Sequence, residues 1–358
     1  MITESNINNL LEGHTAILVR GIIESMSVRP QAIYLVGGYG RGEGAWYEDE
    51  TGIHPYNDFD IAVISDATIS HDKIEELRKE LAKAVGIKWV DIDFYSLNGL
   101  KNMLPTIHNV DLFEGNSLLF GDDVIKENNL HLDSSVIGRE DLITLFWTRM
   151  WTFLGSWTGD FHNLNVEEAR FFKNQMAKAV LAACDMQLVG IRKYTTSYRK
   201  RAEIIMKERA DDKSICELVQ WAINEKLRPS CEEMEDSAMR ILYFRVKAMF
   251  VESFEKAFGQ EACFFLNPYK TKSYYVWHTK NYLYHIYSLI RNHSSRIARR
   301  LDVYYAMNYV FHANNDGIVD EKMIDEASRL LRKRGFIKNK SYTWDSLRPI
   351  AAEARNNV

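Results

Sequence analysis

The chain has 358 residues, 46% of them hydrophobic and 26% charged, which is enough apolar matter for two domains of ordinary size and excludes a long disordered tract. Its formal net charge of −4 excludes bulk gripping of duplex nucleic acid as the main task, because counterion release needs a basic excess.

Ile7, Leu10, Leu11, Ile17, Leu18 and Ile22 recur at helical spacing and predict an amphipathic helix over 6–26, stopped by Arg29-Pro30. Ala32 to Val36 reads as a buried strand that ends at Gly37-Gly38. Phe59 to Ile64 is a second strand, and Ile74, Leu77, Leu81, Ala84 and Val85 mark a helix closed by Gly86. Lys88 to Tyr95 gives a third strand and Ser117 to Phe120 a fourth. From about residue 138 the pattern turns helical, over 139–156, 166–190, 195–208, 212–225, 231–257, 275–310, 320–334 and 344–355. Pro105, Pro229, Pro268 and Pro349 are expected at helix boundaries, since proline lacks the N–H a helix interior requires. This order predicts an α+β chain, divided into 1–135 and an all-α region 136–358.

Four dispersed cysteines (Cys184, Cys216, Cys231 and Cys263) argue against a zinc or disulfide framework and for a reducing compartment. No basic-then-apolar leader opens the chain, and no apolar run approaches the ~20 residues that span a bilayer. A cytoplasmic location without a membrane partner is expected.

The chemistry concentrates in two segments of the first third. Val36-Gly37-Gly38-Tyr39-Gly40-Arg41-Gly42-Glu43-Gly44 leads a strand into a glycine-rich turn, where backbone can approach a ligand closely. A short helix starting at Tyr39 or Gly40 would aim free N–H groups at an anion, and Arg41 adds positive charge. In Asn57-Asp58-Phe59-Asp60-Ile61, the two aspartates sit two apart on a strand and project from one side. Carboxylates so close repel unless a cation lies between them, and magnesium, a hard ion with oxygen ligands, is the natural candidate. Val90-Asp91-Ile92-Asp93-Phe94 supplies a third carboxylate from Asp91 or Asp93. Three such groups can hold two ions around a transferring phosphoryl group. Either acidic pair alone reads equally as a polar strand edge. Their order behind the glycine turn is what singles them out.

These segments resemble the DNA polymerase beta nucleotidyltransferase superfamily, whose pattern is a Gly-Gly or Gly-Ser turn, an Asp-x-Asp strand and a later acidic strand residue. Gly37 to Glu43 is similar to the turn of uridylyltransferase-like and minimal members, and Leu118 to Asp122 to a strand and turn that follow the third carboxylate there. The resemblance covers roughly residues 30–125. It implies a polymerase-beta-like domain, a small mixed sheet with flanking helices, followed by an α-helical domain closing a nucleotide cleft. It further implies that Gly37 and Gly38 hold the triphosphate, and that Asp58, Asp60 and Asp91 are catalytic and bind two Mg²⁺, with Mn²⁺ as the alternative ion. Asp91 best meets the family's apolar-Asp-apolar pattern, and Asp93 is the reserve. Lys178, in Ala177-Lys178-Ala179-Val180, resembles a helix lysine that reaches the triphosphate in several relatives. Gly38 stands where many members carry serine, and residues 46–55 read as an inserted hairpin.

In the helical half, Phe172, Met176, Val180, Ala183 and Met186 form a stripe expected in the core. The aromatic group Tyr274, Tyr275, Trp277, Tyr282, Tyr284 and Tyr287 is expected as half-buried packing, with base stacking as the alternative. The basic runs 193–201 and 291–300 read first as solvated faces. The expected activity is transfer of a nucleoside monophosphate from an NTP such as ATP to an acceptor hydroxyl or phosphate. The acceptor is first a small molecule; alternatives are a protein, a tRNA, a second nucleotide in messenger synthesis, or no acceptor in a binding module.

Overall fold

A strand that alternates apolar side chains to two faces must be covered twice, and the N-terminal sheet is. In the computed structural model, which describes residues 3–67, 69–157, 164–230, 232, 234–258, 296–339 and 341–357, four strands form one mixed sheet. They are β1 (Ala32–Val36), β4 (Asp58–Ile64), β5 (Trp89–Tyr95) and β6 (Ser117–Gly121), in the order β5-β4-β1-β6. β1 runs antiparallel to both β4 and β6, whereas β4 and β5 are parallel. A parallel pair needs a crossover, which helix α3 (His71–Ala84) supplies.

Period-two alternation sorts the side chains. Ile33, Leu35, Phe59, Ile61, Val63, Val90 and Ile92 meet Leu18 and Ile22 of helix α1 (Glu4–Ser25) and Leu77 and Leu81 of α3. Ala32, Tyr34, Ala62 and Ile64 meet Leu100 of helix α4 (Leu97–Lys101), Leu112 and Phe113 of α5 (Ile107–Glu114), and Val124 and Ile125 of α6 (Val124–Glu127). Each fully buried aromatic or branched side chain of this kind contributes roughly 1.5–3 kcal/mol. A single helical turn, α2 (Gly37–Gly40), follows β1, and the hairpin β2 (Ala45–Asp49) with β3 (Gly52–Tyr56) fills the interval before β4.

Two compact units emerge, Met1–Asp141 with Ile191–Ser230, and Leu142–Gly190 with Cys231–Val358. The chain is α+β as expected, but this division differs from a single cut between residues 135 and 136. The helices α9 (Tyr198–Glu208) and α10 (Lys213–Leu227) belong with the sheet, for a reason given below.

The second unit holds most of α7 (Arg139–Ser156), then α8 (Val166–Gly190), α11 (Asp236–Phe258), α12 (Arg296–Ala313), α13 (Glu321–Lys333) and α14 (Trp344–Ala354). Its core is aromatic: Phe146 stacks on Phe250 and Phe254 at centroid distances of 4.8 and 4.2 Å. Phe172, Met176, Val180, Ala183 and Met186 are all buried, as their spacing predicts. Pro349 departs from expectation, lying inside α14 rather than at its edge. It falls just past the first turn, so it removes a single helical bond, while a Thr343–Ser346 capping box secures the start. The aromatic group 274–287 and Pro268 lie outside the described residues. Among the described residues, no helix is long and apolar enough to cross a membrane.

Candidate functional site

Alternation on β4 and β5 decides which way the aspartates face. Phe59 and Ile61 point into the α1/α3 layer, so Asp58 and Asp60 take the opposite face, and Val90 and Ile92 do the same for Asp91 and Asp93. Register then sets the level. Val36 pairs with Asp60, and Asp60 pairs with Asp91, so the end of β1 and two carboxylates form one row across three strands.

Asp58, Asp60 and Asp91 each offer a carboxylate oxygen within 4.8 Å of the other two, and all three are half-buried. Burial, with the charges of Asp58 and Asp93, raises the Asp91 carboxyl above the usual carboxylate range, against an opposing hydrogen bond from the Trp89 indole at 2.7 Å. Hard oxygen donors at this spacing fit a divalent cation such as Mg²⁺. Asp93 lies outside the cluster. It is exposed, and although Arg78 lies close to both, at 3.8 Å from Asp93 and 4.0 Å from Asp91, only Asp91 brings an oxygen within reach of the other two.

The glycine turn touches this cluster directly. Gly37 adopts φ +64°, and a β-carbon there would lie 2.1 Å from Oδ2 of Asp60. Only glycine lets the backbone lie against that carboxylate. Gly38 accepts a hydrogen bond from the Glu43 N–H at 2.8 Å, closing the loop that follows. The turn is one helical turn beginning at Gly37 rather than at Tyr39 or Gly40, too short for a macrodipole; its backbone N–H groups are what it offers an anion. Tyr39 is buried, and its hydroxyl donates to the Ala45 carbonyl at 2.5 Å and accepts from the Tyr56 N–H at 3.0 Å. It thereby clasps both ends of the inserted hairpin. Asn57, next to Asp58, has φ 74° and a buried Nδ2 with no hydrogen-bond partner among the described residues.

Arg41 is held among carboxylates. Its side chain is 6% exposed, pairs with Asp111 at 3.3 Å and Glu43 at 3.5 Å, and lies 4.2 Å from the Tyr198 ring. Two carboxylates face it, so its charge is taken up in a buried ion-pair network. Arg201 joins the same network, reaching Asp111 at 3.0 Å and the carbonyl of Thr196 at 3.0 Å, as well as the Tyr194 hydroxyl. The run 193–201 is therefore only partly a solvated face. Glu43 completes the junction: its carboxylate accepts from Ser197 Oγ at 2.8 Å and from the N–H groups of Tyr198 at 2.6 Å and Arg199 at 3.1 Å. A carboxylate at a helix N-terminus satisfies orphan donors and complements the dipole. This is why α9 belongs with the sheet. Lys178 is half-buried on α8 in the second unit and is not among these residues.

No family model and no curated protein matches the chain.

Sequence reasoning missed Glu43, Asp111, Tyr194 and Arg201. Glu43 carried a weak signal, as an acidic residue close behind the glycines; Asp111, 70 residues from its partner Arg41, carried none.

Proposed function

We propose that the chain is a metal-dependent nucleotidyltransferase with a polymerase-beta-like catalytic domain, moving a nucleoside monophosphate from an NTP to the hydroxyl of a small molecule. The observation that supports this reading is the row formed by Val36, Asp60 and Asp91, at whose end the Gly37 turn abuts a three-carboxylate cluster. Acid clusters at strand ends occur without a cation. A glycine turn packed on one of the carboxylates adds a place for phosphate beside the place for metal.

Asp58, Asp60 and Asp91 would hold Mg²⁺ or Mn²⁺, which supplies charge neutralisation to the phosphates and acidifies the attacking hydroxyl. The chain's own groups do the rest. Backbone N–H groups of the turn orient the triphosphate. The acceptor oxygen forms a bond to the α-phosphorus, the bond to the bridging oxygen breaks, and pyrophosphate departs with that electron pair. The hydroxyl proton passes to a carboxylate of the cluster, for which Asp91 is the proposed acceptor. The net charge of −4 favours a small acceptor over a nucleic-acid one.

Incubation with each radiolabelled NTP and Mg²⁺ or Mn²⁺, resolving small products, protein and RNA separately, tests this. Label in a small product from the native chain, lost in Asp58→Asn with Asp60→Asn, is expected. Absence of NTP binding in the presence of either ion, or full activity in that double variant, overturns it.

A further inference from the structure

We infer that Arg199 and Arg228 are the side chains that grip the triphosphate, a task that the glycine turn's own arginine does not perform. This rests on the nucleotidyltransferase reading and adds to it the cationic half of the phosphate site.

Arg41 is committed to Glu43 and Asp111 and nearly buried. A triphosphate carrying close to four negative charges still requires cations beyond the metal. Arg199 stands in the first turn of α9, and its own N–H binds the Glu43 carboxylate at 3.1 Å. Glu43 in turn binds the Gly38 carbonyl through its N–H at 2.8 Å. One glutamate side chain thus separates the backbone of Arg199 from the glycine turn, a gap that an arginine side chain spans.

Arg228 is the residue that ends α10, a helix packed against β2, the strand directly after the turn. Its guanidinium donates to the neighbouring Leu227 carbonyl at 2.8 Å. The buried Tyr39 hydroxyl, inside the turn, lies in the fields of Asp58, Asp60 and Arg228 together. Arg228 lies in turn in the field of Arg199; burial first, and then that like charge, push it below the ordinary arginine value. Tyr39 thus feels both the carboxylate cluster and Arg228, and Arg228 feels Arg199.

Both residues are exposed overall, and among the described residues neither pairs with a carboxylate. Two neighbouring cations that repel each other are offset by a polyanion better than by any single acid. Guanidinium forks match phosphate oxygens two at a time. The two arginines come from different helices, which suits them to separate phosphates of one chain.

Inorganic tripolyphosphate with Mg²⁺, titrated calorimetrically into the full chain, reports on this grip without needing to know the base. Arg199→Ala and Arg228→Ala are each expected to raise Kd at least fivefold and the double variant at least fiftyfold. Mn²⁺ binding in the absence of polyphosphate should stay unchanged in all three, showing an intact carboxylate cluster. Lys101→Ala, an exposed cation on α4, should bind tripolyphosphate as the native chain does. Native affinity in the double variant, or equal loss in Lys101→Ala, overturns the assignment and leaves the transferase reading standing. If the native chain binds neither tripolyphosphate nor any NTP with Mg²⁺ or Mn²⁺, the transferase reading falls and takes the assignment with it.

Discussion

Replacing Gly37 with alanine puts a methyl group where the structure has no room for one. Two costs follow, and they are separable. The left-handed backbone at φ +64° disfavours an L side chain by about 1–2 kcal/mol. The added β-carbon would sit 2.1 Å from Asp60 Oδ2 and 3.0 Å from its Cγ. What it meets is the end of a side chain rather than backbone, so β4 stays in place and the carboxylate swings aside. Stability should therefore fall by only about 1–2 kcal/mol, while the cluster loses one of its three oxygen donors. Removing a ligand should weaken Mn²⁺ binding at least tenfold, about 1.4 kcal/mol. Gly38→Ala is the control. Its β-carbon would meet the Glu43 carbonyl at 3.2 Å, a contact that a shift of a few tenths of an ångström relieves, so both quantities should stay within about 0.5 kcal/mol of native. Calorimetric Mn²⁺ titration and denaturant unfolding of the two variants measure this. Native Mn²⁺ affinity in Gly37→Ala, or equal damage from Gly38→Ala, would refute the joining of turn and cluster.

Two further outcomes are expected. Glu43→Ala strips three hydrogen bonds from the start of α9 and one of two carboxylates from buried Arg41, and should cost about 3 kcal/mol in urea unfolding; a loss below about 0.5 kcal/mol would show that the junction does not hold α9. In the second unit, burial pushes the Lys247 ammonium from its ordinary 10.5 down to about 8, so between those values the unfolded chain holds a proton the folded one lacks. The burial penalty is full below about pH 8 and fades as pH rises toward 10.5, so the stability of the native chain relative to Lys247→Met should rise across that window by at most about 3 kcal/mol. A difference that stays constant with pH would place the charge elsewhere.

The strands and most described helices were legible because local periodicity carries them: β1 over Ala32–Val36 and α8 over Val166–Gly190 match the expected spans. The carboxylates were legible for the same reason, since period two alone sends Asp58 and Asp60 to one face. Choosing Asp91 over Asp93 needed the register with Asp60, which the resemblance anticipated and spacing did not. The partners of Arg41 were not legible because a cation among glycines looks identical whether it meets phosphate or carboxylate; in the structure it meets Asp111 and Glu43, and Asp111 is remote in sequence. Arg201 looked like one more surface charge in a basic run, although it is 2% exposed, because its partner lies 90 residues away. The compact units divide the chain differently from a cut at 135 on the same ground: helix content marks helices, not which core they join.

The sheet-bearing unit is discontinuous in sequence, and this bears on how the protein is made. When residue 141 leaves the ribosome, all four strands are present, yet Asp111 still lacks Arg201 and Tyr194, Arg41 lacks the Tyr198 ring, and Glu43 has no helix to cap. Some fifty residues of the other unit must be synthesised before those partners appear. A nascent sheet therefore waits with three charged groups lacking some or all of their partners, and its stability should rise in a step once α9 emerges. A fragment ending near residue 141 would stay in that waiting state, whereas a chain carried through residue 230 would not.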